Sequence, residues 1–578
     1  MYLLPVVLFS AVILGLAYRW YGGLLCRLLR LDPKARTPAI EMRDDVDYVP
    51  IEPKFLFGQH FSAIAAAGPI VGPILAGVMF GWVPALVWIV VGSIFIGGIH
   101  DLGSLVASVR HRARSIAEVV REHMNQRSYV LFLIFIWITL VYIIVAFTDI
   151  VASSFVGRQT LEDGTVISGG GIATSSLLYL LLPLVMGLLL RYTKLTLGWA
   201  TLIFLPLVGV AIWAGPLAPF DLAALLGVSD GEATRIWDVI LLAYCVLASV
   251  VPMWLLLQPR GHLGGYFLII ALAGGALGIV FGGKPILYPA FVGWTTPKGE
   301  ALFPILFITI ACGACSGFHA LVASGTTSRQ LRRETDAKVV GYGAMLMEAM
   351  VAVVSLCCVM MLAPDHPAVA GGQPKANLIY GLGMGSFLHV LHVPVAFAVS
   401  FALLAFTTFV YDTLDVGTRL GRYILQELTG WHGQAGRWLA TLITTATPLF
   451  FVVQKLEDAA GKPIPAWRMF WPLFGACNQL LAALALLGVT VWLYRTRRAL
   501  WVWPVAGLPA VWMYSVSMWA LYRFIRQGFF TTAGAFKGLT TSPVPWVALI
   551  LILLALLLLL EAIRAFCSPA AAPPPAAA

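Results

Sequence analysis

Long apolar runs, separated by short polar stretches, recur from one end of this 578-residue chain to the other. A helix needs about 20 mostly apolar residues to cross the hydrocarbon core of a bilayer, whereas strands stop well short of that length. The pattern predicts fifteen spans: 2–18, 60–80, 82–108, 129–153, 172–190, 195–214, 236–257, 264–282, 301–323, 339–363, 388–410, 438–453, 469–493, 499–521 and 545–563. The first lacks a basic leader and runs into Tyr18-Arg19-Trp20 rather than a small-residue cleavage site, so it reads as a retained span. The fold class is therefore an all-α polytopic membrane protein. Composition agrees: 60% hydrophobic and 11% charged residues exclude a soluble globular protein.

Charge then gives orientation. Of the 37 Lys and Arg residues, 26 fall in alternate connections and the C-terminal segment, and 11 in the intervening connections, with none inside an expected span. Basic loops stay in the cytoplasm, which places the N-terminus outside and the C-terminus inside. The net charge of +10 thus calls for no nucleic acid. Residues 1–59 form a first span and a cytoplasmic connector, 60–410 the core, 411–567 further spans, and 568–578 an Ala/Pro-rich, disordered tail. The connector at 109–127 reads as a basic loop or a helix on the inner lipid surface.

The most informative stretch runs from Gly58 to Gly81, where Gly68-Pro69 and Gly72-Pro73 interrupt an apolar span. Proline deletes a backbone donor and clashes with the preceding turn. In lipid, a helix broken this way survives only inside protein or beside a cavity, and transporters hold solutes at such breaks. A kinked packing helix would also contain Gly and Pro, but two such steps four residues apart favour a site. Gln59, His60 and Ser62 add polar groups at one end. Spans two to six (60–214) and seven to eleven (236–410) can be drawn as a five-plus-five inverted repeat, with Ser249 and Pro252 as the matching interruption of span seven.

Ionisable groups at membrane depth are costly and point to function. His100, Asp101, Asp149 and Glu348 lie within expected spans, and Asp101, Glu348 or a histidine could carry a proton. Span nine holds Ser316 and His319, followed by the hydroxyls of Ser324, Thr326 and Thr327, which suit a hard cation such as sodium. Cys312 and Cys315 have the spacing of a metal clip, but no second Cys pair accompanies them, and no metal site is expected. Asn478 and Gln479 place two amides in span thirteen. Asp412 and Asp415, at an expected helix end near Arg419, read as a surface ion pair. No P-loop, HExxH or GxSxG supports ATP-driven transport or common hydrolase chemistry.

Four segments resemble the carbon starvation protein A family: Gln59 to Pro73, His100-Asp-Leu-Gly-Ser104, Ser316-Gly-Phe-His-Ala320 with Ser324-Gly-Thr-Thr327, and Gly475 to Leu480. The resemblance implies uptake across the bacterial inner membrane, with family members linked to pyruvate/proton symport and to peptide uptake. It also implies a distant similarity to transporters with an APC/LeuT-like core, whose cation site lies between the first and eighth core helices. The leading expectation is a secondary transporter importing pyruvate or a similar small carboxylate with protons. Gln59, His60, Ser62, Gly68, Gly72, Ser316, His319, Asn478 and Gln479 would bind substrate near an unwound Gly68–Gly72 segment. Asp101, His100, Glu348, Ser324, Thr326 and Thr327 would serve the coupling ion. Peptide uptake is the alternative, followed by sodium coupling, a channel and an intramembrane enzyme. No cofactor beyond a coupling proton or sodium is expected.

Overall fold

The computed structural model describes the chain apart from residues 45–47, 161–163, 165, 298, 371–373, 457–463, 532–533 and 569–578. All of the expected disordered tail except Ser568 therefore lies outside the described residues. Among the described residues, sheet is confined to one antiparallel hairpin, Arg158–Thr160 against Val166–Ser168. Eleven helices are long and apolar enough to cross a bilayer, or twelve if the bent pair Pro53–Ile64 and Gly68–Phe80 counts as one span. The expectation of fifteen is too high by that measure. The other three expected spans are helical but differently built. Span nine is divided into Leu302–Thr309, Ala311–Ala314 and Gly317–Val322. Span twelve lies in Gly433–Val452, which carries four threonines between 441 and 447. Span fourteen is divided between the π-helical turn Trp503–Gly507 and Leu508–Phe529.

Burial sorts the helices into layers. The most apolar window of Ala466–Arg497 is 94% buried, against 28% for Leu3–Leu29 and for Leu197–Leu217. The outer helices expose Phe9, Trp199 and Leu202, as helices that are apolar on every side and face lipid must. The connector after Trp82–Arg110 is neither an open loop nor a lipid-surface helix. Its short helix, Ile116–His123, buries Ile116, Val119 and Val120 and packs on Ala466–Arg497.

Two helices run past their expected ends. Leu257–Gly282 takes in the whole of the expected 258–263 loop and carries Arg260. Val395–Thr429 is 35 residues long and includes Asp412, Asp415, Arg419 and Arg422. The expectation that spans lack basic residues fails at these positions. A rule keyed to residue type assigns charges to loops, but here the compensating charges come from other helices.

The Pro53–Ile64 and Gly68–Phe80 helices are bent by 47° relative to each other. The break centres on Ala65–Ala67 rather than on Gly68–Gly72. Gly68-Pro69 opens the second half, where proline lacks only a donor that the first turn does not use. Gly72-Pro73 sits within continuous helix. Gly72 is needed for contact instead: a Cβ there would strike the Thr309 carbonyl oxygen. Gly72→Ala should force the two backbones apart and cost about 1–3 kcal/mol, the usual range for overpacking, read as a lower melting temperature of the purified protein.

Span seven is not interrupted. Asp230–Val250 starts at a Ser229/Glu232 capping box and runs unbroken, with Ser249 and Pro252 at its far end. Pro252 lies just beyond the helix, where proline commonly follows a helix end. The second break falls in span nine, where Cys315 and Ser316 are extended between two short helices.

Candidate functional site

Two buried polar networks are built on helices that pack against the Pro53–Ile64 half-helix. The first joins residues that are far apart in sequence. His100 Nδ1 lies 2.7 Å from one Asp101 oxygen, and His319 Nδ1 lies 2.8 Å from the other. His319 Nε2 then lies 3.0 Å from Glu348 Oε2. All four side chains are fully buried. A neutral imidazole has one N–H and an ionised carboxylate only accepts. His319 thus hydrogen-bonds Asp101 through Nδ1, while its Nε2 stands in ion-pair range of Glu348 without a hydrogen bond among the described residues. Four titratable side chains therefore stand in a row, each within 3.0 Å of the next.

The other expected coupling residues point elsewhere. Thr327 Oγ1 meets His60 Nδ1 at 2.8 Å. Ser324 Oγ donates to the Ala320 carbonyl at 2.7 Å and accepts from Ile116 N at 3.1 Å. Thr326 Oγ1 donates to the Val322 carbonyl at 3.0 Å. These three hydroxyls, all in the π-helical turn Ala323–Thr327, do not converge on one point.

Asn478 supports the second break. Its Oδ1 accepts from Phe318 N at 3.0 Å, and its Nδ2 donates to Ser316 Oγ at 3.0 Å. It thereby ties down the N-terminus of the Gly317–Val322 turn. Gln479 points away, with Nε2 3.3 Å from the Met513 sulfur.

The second network is one the sequence reading missed. Arg260 is 1% exposed, and its Nε lies 2.8 Å from Asp412 Oδ1. Its Nη1 donates to Asp415 and to the Tyr244 hydroxyl, and Tyr244 donates to Asp415 at 2.8 Å. The guanidinium lies 5.1 Å from the centre of the Tyr411 ring, within cation–π range. Ser62 donates to Asp412. The expected surface pair of Asp412 and Asp415 with Arg419 is thus wrong on both counts. The two aspartates are buried and both pair with Arg260, while Arg419 donates to the carbonyls of Ala248 and Val251 at the end of Asp230–Val250. Arg260 Nη2 has no hydrogen-bond partner among the described residues. A cavity of about 50 Å³ adjoins it, lined by Gln59, Ala63, Thr326 and Gln330 among others.

The hollow next to the break is therefore at Gln59–Ala63, not at Gly68–Gly72. Gly68 packs on Cys312 and Gly72 on Thr309, leaving no room for a solute there. A much larger hollow of about 900 Å³, lined by Trp88, Phe307 and Trp512 among others, has no charged side chain in its lining. Asp149 accepts from Trp467 N at 2.7 Å and lines a separate cavity of about 480 Å³ with Arg235 and Lys455.

A family model described as Carbon starvation protein CstA matches residues 3–376 and 368–520. The chain belongs to the CstA family. The pyruvate/proton symporter BtsT of Escherichia coli (strain K12) is 32% identical over 92% of this chain and 84% of its own length. The peptide transporter CstA of the same organism is 32% identical over 93% of this chain and 84% of its own. Among solved structures, a mutant of the Eremococcus coleocola manganese transporter matches 91% of this chain and 98% of its own, at 14% identity and a TM-score of 0.43. In this CstA-family chain, Arg260 had two faint signals in the sequence. Gln258-Pro-Arg-Gly-His262 directly precedes a long apolar run, and Asp412 and Asp415 are three apart, on one helical face.

Proposed function

We propose that the protein is a secondary transporter that imports pyruvate or a similar small carboxylate with protons across the bacterial inner membrane. The observation that carries this reading is the Pro53–Ile64 half-helix, held through His60 on one side and through Ser62 on the arginine side. A solute carboxylate in the 50 Å³ cavity would pair with the open Nη2 of Arg260, because a planar guanidinium matches a carboxylate. Gln59 and Thr326 would orient the rest of the molecule. The His100–Asp101–His319–Glu348 row would carry the proton. Movement of the half-helix would link the two events.

The cavity holds only about two waters at the volume each takes up in the liquid, so the pathway must widen to admit even pyruvate. By the distribution of basic residues, the cavity belongs to the cytoplasmic half of the protein and the Asp149 cavity to the outer half. Relatives named as a pyruvate/proton symporter and as peptide transporters support transport rather than enzymatic chemistry. Peptide uptake is the second reading, since the same arginine would suit a peptide C-terminus. Purified protein in liposomes, given labelled pyruvate, should accumulate it only when an inward proton gradient is imposed. Flux that ignores the gradient would overturn symport. Competition by di- and tripeptides that exceeds competition by short carboxylates would decide for peptides.

A further inference from the structure

Outside both networks, the turn that joins two spanning helices brings together His111, Glu122 and His123. Their candidate ligand atoms all lie within 4.8 Å of one another. His111 follows the end of Gly98–Arg110, and Arg112 and Ala113 then turn the chain with positive φ values of 59° and 53°. Hydrogen bonds hold this tight turn: Ala113 N to the Ser108 carbonyl at 2.8 Å, and Ser108 Oγ to the Arg114 carbonyl at 2.7 Å. The Ile116–His123 helix then returns His123 to within 2.8 Å of His111, Nε2 to Nε2.

We propose that this turn is a binding site for a divalent transition metal of the zinc class, with His111, His123 and Glu122 as ligands. Imidazole nitrogens with one carboxylate suit zinc. His111 Nδ1 donates to the Ala107 carbonyl at 2.6 Å, which fixes the tautomer and leaves Nε2 with a lone pair; metal-bound histidines are oriented in this way. In that arrangement His123 Nε2 donates to His111 Nε2 across the 2.8 Å contact, and this proton must leave Nε2 when the metal binds. A tetrahedral zinc with bonds near 2.0–2.1 Å separates its ligand atoms by about 3.4 Å. The two rings must therefore part by roughly half an ångström, and Glu122 Oε1, now 3.9 Å from His111 Nε2, must approach by a similar amount. Glu122 is exposed and free to do so. Arg495, which donates to the His123 carbonyl at 2.8 Å, sets a positive charge nearby and lowers the affinity without blocking the lone pairs. Three protein ligands leave a fourth position for water. The metal would act as a staple between the end of one spanning helix and the start of the next.

The test uses full-length protein freed of any histidine tag, in detergent, titrated with zinc against a chromophoric chelator. One zinc per chain is expected, with an X-ray absorption spectrum showing two imidazole ligands and a melting temperature that rises with zinc concentration, as for any ligand that binds only the folded state. His111→Gln and His123→Gln should each abolish the stoichiometric binding and the thermal shift, and Glu122→Gln should weaken both. Should a histidine variant fail to fold, Glu122→Gln and the spectrum of the unaltered protein still decide. No zinc above background, a spectrum dominated by sulfur, or a thermal shift unchanged in Glu122→Gln and in every histidine variant that folds would overturn the assignment.

Discussion

Arg260→Ala is expected to abolish uptake and to destabilise the protein by about 3–5 kcal/mol, the usual cost of removing one partner from a buried ion pair. Asp412 and Asp415 would be left facing each other in the interior without their countercharge. The same substitution removes the proposed carboxylate anchor, so the two effects have to be separated. The triple variant Arg260→Ala, Asp412→Asn, Asp415→Asn removes the positive charge together with both negative ones and should recover much of the thermal stability. It should still fail to transport pyruvate. Arg260→Lys keeps the charge but not the planar fork, and should fold while binding substrate poorly. Thermal unfolding in detergent and uptake in liposomes read the two quantities independently. Normal uptake by a folded triple variant would remove Arg260 from the substrate site.

Asp101→Asn should lower gradient-driven accumulation tenfold or more while leaving the protein folded. The carboxylate bridges His100 and His319, and an amide of nearly the same shape preserves the packing but not the charge. Hydrogen bonds to charged groups are worth about 1.5–3 kcal/mol each, and a tenfold change in rate needs only about 1.4 kcal/mol. Exchange of labelled for unlabelled substrate without a gradient, which moves no net protons, should persist. That contrast separates a proton-carrying role from a structural one. Accumulation at the level of the unaltered protein would exclude Asp101 as part of the proton path.

Much of the architecture was legible in the sequence because lipid imposes a simple rule. Any segment of about 20 apolar residues that must satisfy its own backbone becomes a helix, so most span positions follow from apolar runs alone. The break near Gly68-Pro69 was legible for the same reason, since proline acts on its own turn. Its displacement to Ala65–Ala67 was not legible, because Pro73 is tolerated where neighbouring helices hold the turn together. The interruption expected in span seven failed because a proline beyond a helix end reads the same in sequence as one inside it.

The two networks divide along the same line. His100 and Asp101 adjoin in sequence, and buried ionisable residues announce themselves, so His319 and Glu348 could be nominated. Their connection through both nitrogens of one imidazole depends on three helices meeting. Arg260, Asp412 and Asp415 stand in sequence at the edges of apolar runs, where charges normally reach water. Only the packing of Leu257–Gly282 against Val395–Thr429 brings them together in the interior. By itself, the sequence determined a polytopic helical protein of the CstA family with a broken helix, because backbone hydrogen bonding in lipid and proline sterics are local. Where the hollow lies, and which charges face each other across it, only the tertiary structure decided, because burial and ion pairing belong to groups that meet through space.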